Sequence, residues 1–127
     1  DGEYLLTGED IINCRKFSDS IAAGNYSIDI HSPDGSGTIM HRFKQGEYYT
    51  IPYRCLLPKK ISNLLVAGRC ISFDHEAQAA CRVMPICASL GQAAATAAAI
   101  SVKENKPLRE IDVREIQNAL REDKAFF

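Results

Sequence analysis

The sequence predicts an α/β fold, with an α+β appearance for this chain in isolation, and three observations lead to it. Val83 to Val102 carries no charge and has a proline near its start, the pattern of a long packed helix. Leu64-Leu65-Val66-Ala67-Gly68 is short, apolar on both faces and closed by glycine, the pattern of a buried parallel-type strand. Tyr26, Ile28 and Ile30 alternate with Ser27, Asp29 and His31, the pattern of a strand with one polar face. A length of 127 residues suits one domain, and 46% hydrophobic residues can fill a core.

The elements follow in order. Thr7 can cap a helix, and Asp10 three residues on makes a weak capping box that turns Ile11 and Ile12 inward. Ser18 to Ala23 reads as a second helical turn, stopped by Gly24. The strand through Ile28 ends in a turn at Pro33-Asp34-Gly35. Ile39 to Phe43 reads as another strand, broken by Gly46, and Tyr48 to Arg54 as a third. Pro52 marks that third strand as an edge or a bulge. Pro58 to Ser62 is a turn. The apolar strand Leu64 to Ala67 finds no segment of like character here, so its sheet neighbours must come from elsewhere. The long helix runs past Ile100 and Val102 to about Asn105, with Pro107 beyond. Ala88, Gly91, Ala95 and Ala98 share one face, expected to lie against the apolar strand or a ligand. Asp112 caps a last helix, Glu115 completes its box, and Val113, Ile116 and Leu120 form its apolar stripe.

Composition excludes several classes. A net charge of −1 and a pI near 6.3 leave no basic stripe for nucleic acid. Lys59-Lys60 is a solvated turn. The cysteine count is odd, and Cys14, Cys55, Cys70, Cys81 and Cys87 contain no C-x-x-C pair for zinc or redox chemistry. They read as reduced thiols in a reducing, cytoplasmic setting. Cys81 and Cys87 flank the helix start and read as buried thiols rather than a redox pair. No metal site is expected. Asp1-Gly2-Glu3 is not signal-peptide chemistry. The uncharged run holds Pro85, Ser89, Gln92, Thr96 and Ser101 among its alanines, so a buried helix is expected rather than a membrane span.

The chemistry concentrates between Asn63 and Ile100. A strand ends in Ala67-Gly68-Arg69, a polar loop follows with Asp74-His75-Glu76, and Arg82 precedes the helix. A helix N-terminus offers unpaired N–H groups and about half a positive charge. Arg82 adds a full charge, and Gly68 lets the backbone approach closely. Together these describe a site for one electron-rich ligand lying flat against the backbone.

The stretches IPYRCLLPKKISNLLVAGRCIS and RVMPICASLGQAAATAA resemble the C-terminal signature of a bacterial family of FAD-dependent oxidoreductases. DSIAAGNYSIDIHSPDG resembles an upstream block of the same family, and the likeness runs from about Thr7 to about Leu120. One departure is Ala95, where the family pattern GQAAGTAA has glycine. The resemblance implies the C-terminal segment of an FAD-binding Rossmann-like fold, with residues 1–62 on the substrate side and 63–127 in the FAD-binding part. It implies FAD as cofactor, a small-molecule substrate, and hydride or electron chemistry. Gly68 and Arg69 would lie near the pyrophosphate or ribityl chain. Arg82, Val83, Met84, Pro85 and Cys87 would meet the isoalloxazine ring, with Gly91 and Gln92 further along the helix. His75 and His31 are the catalytic candidates, and His41 is expected at the surface. No G-x-G-x-x-G occurs, so the chain is expected to be a fragment that binds FAD poorly alone and self-associates through exposed apolar surface. The rival reading is a non-enzymatic α+β interaction module.

Overall fold

Helix α1, Gly8–Ile12, starts as its sequence suggests. The Thr7 hydroxyl accepts from the Asp10 amide at 3.2 Å, and the Asp10 carboxylate accepts from the Thr7 amide at 3.1 Å. The same carboxylate accepts from the Tyr4 hydroxyl and pairs with Arg15 at 2.8 Å. Burial opposes ionisation of Asp10, but the bonds from Arg15, Tyr4 and Thr7 outweigh it and hold its carboxyl below the ordinary value. This contribution to stability is present above the ordinary carboxylate range and is lost as pH falls through the lowered value. The computed structural model describes residues 1–31 and 38–127, so the expected turn at Pro33-Asp34-Gly35 lies outside the described residues.

Strands β1, Ser20–Gly24, and β4, Tyr49–Pro52, form one antiparallel pair; β2, Ile28–His31, and β3, Thr38–His41, form another. The segment read as a helical turn at Ser18–Ala23 is therefore a strand. Ala22 faces Ile51 and Ala23 faces Thr50 across the pair, and Ile21 and Ala22 are buried. Helices α3, Met84–Glu104, and α4, Val113–Glu122, pack on β1, and this burial outweighs the local turn signal. Pro52 closes β4, and the chain passes into a single 3₁₀ turn, Tyr53–Leu56.

The apolar run at Leu64–Ala67 is not a strand. It makes no ladder among the described residues, and Leu64 is 43% exposed. The Val66 amide reaches the Leu56 carbonyl at 2.9 Å instead. A parallel-type strand exists only between neighbours that bond its edges, and the described sheets supply none.

Asp74, His75 and Glu76 are not a polar loop either. Asp74 caps helix α2, His75–Cys81, by accepting from the Ala77 amide at 2.8 Å. Both its oxygens also accept from the Gly8 amide, at 3.1 and 3.0 Å. One carboxylate thus holds the starts of two helices. Gly8 must lack a side chain here, because a Cβ would meet the Glu76 carboxylate at 2.1 Å. Leu6 and Phe73 extend the junction as a parallel bridge.

Helix α3 has the ends expected of it: Pro85 in its first turn, Asn105 in a left-handed cap, and Pro107 beyond. Its faces are reversed from the expected arrangement. Ile86, Leu90, Ala93 and Ala97 are buried, whereas Ala88, Gly91, Ala95 and Ala98 are exposed, with Met84 78% and Val102 83% exposed. The larger side chains reach the core, since they remove more apolar surface from water. The helix is buried along one face only, and by length and composition it is apolar enough to cross a membrane. Asp112 caps α4 through the Arg114 amide at 3.0 Å, but Glu115 does not complete the box. The neighbouring Glu104 raises its carboxyl, and Glu104 is held low by Glu115 and by its pair with Lys106 at 2.7 Å. Ile116 and Leu120 are buried as expected, joined by Gln117, whose amide donates to the Ser18 and Ser20 carbonyls at 2.9 Å.

Two stability outcomes follow. Gly91→Leu is expected to leave stability unchanged or raise it by the helix-propensity gain of about 0.5–1 kcal/mol, read as an unchanged or higher melting temperature, because nothing lies within 4 Å of its Cβ position. Asp74→Ala is expected to cost about 2 kcal/mol in denaturant unfolding, from the lost cap and the orphaned Gly8 amide.

Candidate active site

The fold draws most of the candidate residues around the junction of α2 and α3. Gly68 opens a short 3₁₀ turn, Gly68–Cys70, with φ of 64°, a left-handed backbone that costs other residues roughly 1–2 kcal/mol. A Cβ there would sit 3.8 Å from that of Cys87, in ordinary contact. Gly68 thus serves the backbone conformation and places the turn beside the start of α3. The Arg69 side chain reaches back and donates from Nε to the Arg82 carbonyl at 3.0 Å. Arg82 is the last-turn cap of α2, and its own side chain is exposed.

Val83 caps α3 with no side-chain hydrogen bond; Pro85 has no N–H and the Cys87 amide already bonds the Val83 carbonyl at 3.0 Å, so the amides of Met84 and Ile86 are the first-turn donors left without a cap. Met84 and Pro85 stand exposed at this opening. Cys87 is half-buried, and its thiol donates to the Arg82 and Cys81 carbonyls at 3.5 and 3.7 Å. The arrangement is a positive edge with two backbone donors and an apolar side chain beside it. Such a donor set fits an electron-rich ring edge or an anionic group. Two expected residues do not join it. Gln92 lies two turns into the helix, where its amide donates to Asp123 at the end of α4, 3.2 Å away. Gly91 faces open space on the exposed side of α3.

A cleft of about 180 Å³ adjoins this edge, between β2 and α2. It is lined by Asp29 and Ile30 from the strand and by His75, Gln78, Ala79 and Arg82 from the helix. His75, Gln78 and Arg82 share one face of α2 because they are spaced three and four residues apart. The buried opposite face, Ala77, Ala80 and Cys81, sets that rotation. Asp29 and Gln78 are lining residues that the sequence reading missed. The signal for Gln78 was present, since reading Asp74 as a cap would have put it on the His75 face. His31 ends β2, and its side chain lies outside the described residues. His41 is half-buried with its ring 5.0 Å from Phe43, rather than a plain surface residue.

A family model described as FAD dependent oxidoreductase matches residues 1–120 of the chain. Comparison with curated proteins and with solved structures finds no match.

The cysteines are all free, and their environments differ. Burial pushes the Cys55 and Cys81 thiols up to about 12, whereas Cys70 is exposed. The thiolate is the reactive form. A disulfide reagent at pH 8 is therefore expected to label Cys70 first and to reach Cys55 and Cys81 only on unfolding. Peptide mapping of the labelled chain checks this order.

Proposed function

The chain belongs to the FAD-dependent oxidoreductase family, and from that premise we propose that it forms the isoalloxazine-side wall of an FAD site. One observation carries the reading: the uncapped start of α3, exposed beside Arg82 and the Gly68–Arg69 turn. Arg82 and the Met84 and Ile86 amides at the start of α3 would hold the electron-rich edge of the ring and favour negative charge there. Met84 would cover its face, with Val83, Pro85 and Cys87 shaping the wall. Gly68 and Arg69 would meet the chain that leads to the pyrophosphate. Bound FAD supplies the hydride or electron transfer.

This chain's residues do the rest. The cleft between β2 and α2 holds the substrate. An imidazole nitrogen of His75 accepts or returns the substrate proton, and His31, at the end of the same strand, is the second candidate for that role. The pyrophosphate end of FAD needs a glycine-rich turn, and the sequence has no G-x-G-x-x-G. The wall therefore completes a Rossmann-like site together with a dinucleotide-binding segment. The exposed apolar face of α3 agrees with a helix that packs on further structure. Family membership favours this reading over a non-enzymatic interaction module.

The 127-residue chain alone is expected to show no saturable FAD binding at low micromolar concentration by calorimetry, because an open wall buries little of a long ligand. In protein that also carries the dinucleotide-binding segment, Arg82→Ala is expected to weaken FAD by about tenfold, roughly 1.4 kcal/mol. Arg121→Ala, on α4, is expected to change nothing. Equal effects of the two substitutions in a flavin-fluorescence titration would remove Arg82 from the site, and tight stoichiometric binding by the chain alone would make it a whole flavoprotein.

A further inference from the structure

Helix α2 ends without a glycine. Arg82 closes it with φ of −72°, in the right-handed region, and Val83 follows directly as the cap of α3. A helix leaves its last four carbonyls without partners of its own, and the left-handed cap that would satisfy some of them is absent here. Side chains from three other elements take its place. The Tyr49 hydroxyl, from β4, donates to the Ala80 carbonyl at 3.2 Å. The Cys87 thiol, from α3, lies 3.7 Å from the Cys81 carbonyl and 3.5 Å from that of Arg82. Arg69, from the Gly68–Cys70 turn, donates to the Arg82 carbonyl at 3.0 Å. Three consecutive carbonyls at the joint of α2 and α3 are thus held by three separate parts of the chain.

Arg69 and Cys87 sit at the open edge, whereas Tyr49 is 0% exposed. Its phenol lies where the end of α2 meets the start of α3. Gly24 makes the room: a Cβ there would stand 2.5 Å from the Ile86 Cδ1 and 2.8 Å from the Tyr49 hydroxyl oxygen. The hydroxyl therefore rests against β1, bonds the last turn of α2 and stands beside a first-turn side chain of α3. A side chain with no exposed surface cannot touch a ligand at the edge, so whatever Tyr49 does there passes through the two helices.

We propose that Tyr49 is a positioning residue for the flavin wall. Its hydroxyl sets the angle at which α3 leaves α2, and through that angle the direction of Arg82 and of the Met84 and Ile86 amides. The role in flavin binding rests on the reading of the wall given above; the control of the angle does not.

Tyr49→Phe keeps the ring and removes the one bond. Tyr53→Phe is the matched comparison, because the buried Tyr53 hydroxyl also donates to a backbone carbonyl, that of Leu108 at 3.0 Å, beyond the other end of α3. Residual dipolar couplings of the 127-residue chain, free of FAD, report the angle between α2 and α3. The angle is expected to change in Tyr49→Phe and to stay as it is in Tyr53→Phe. In protein that also carries the dinucleotide-binding segment, Tyr49→Phe is expected to weaken FAD by about fivefold, the equivalent of one ordinary hydrogen bond. It is also expected to lower the reduction potential of the bound flavin, since a displaced Arg82 favours the reduced anion less. Tyr53→Phe should leave both unchanged while lowering the melting temperature to a similar degree. An unchanged angle in Tyr49→Phe overturns the proposal, and so does an equal loss of FAD affinity in the two variants. Unaltered FAD affinity and potential in Tyr49→Phe, where Arg82→Ala does weaken FAD, overturn it as well. If Arg82→Ala leaves FAD binding untouched, the flavin wall falls, and the couplings alone decide whether Tyr49 sets the joint.

Discussion

A single carboxylate connects the two ends of this fold. Asp74 receives the amide of Gly8, 66 residues earlier, and the amide of Ala77 in its own helix. An anion between two helix starts meets two positive dipole ends at once. The Leu6–Phe73 bridge and the bare backbone of Gly8 under Glu76 make the same junction close enough to work. With α2 docked in this way, its alanine face turns into the core and His75, Gln78 and Arg82 turn toward β2. The cleft depends on this docking more than on any contact within the cleft itself.

Helix α3 works through its two faces and its open end. The inner face carries Ile86 and Leu90 and packs on β1 and α4. The outer face is lined by small residues and runs from Met84 to Val102 without a charge. The start of the helix is left uncapped, while the turn at Gly68 and the guanidinium of Arg69 are fixed against its approach. Stability therefore comes from one side of the helix, and the flavin contacts proposed above would come from its end. The two need not compete for the same residues.

Several features were legible because they are decided within a few residues. The Thr7 cap, Pro85 in the first turn of α3, Asn105 and Pro107 past its end, and the Asp112 cap all stand where the sequence put them. Gly68, Arg69, Arg82, Val83, Met84, Pro85 and Cys87 were read as one neighbourhood, and the fold gathers them there. Other features depended on distant partners. Ser20–Gly24 is a strand only because Tyr49–Pro52 pairs with it. Leu64–Ala67 is not one, because the described sheets give it no partner. Helix α2 carried a local signal in the Asp74 cap that the polar run Asp74-His75-Glu76 masked, whereas Asp29 meets its face only through the packing of β2.

By itself the sequence determined the helix ends, the turn glycines, the cluster of cationic and small residues before α3, and the family to which they point. These rest on local backbone chemistry, where a cap or a proline acts on its own turn. The tertiary structure decided which face of α3 is buried. Every position on that helix up to Val102 is uncharged, so the pattern had no phase, and side-chain volume against β1 chose Ile86 and Leu90 over Ala88 and Gly91. It also decided that His75, Gln78 and Arg82 meet Asp29 in one cleft, because that meeting needs α2 held in place by a residue far away in the chain.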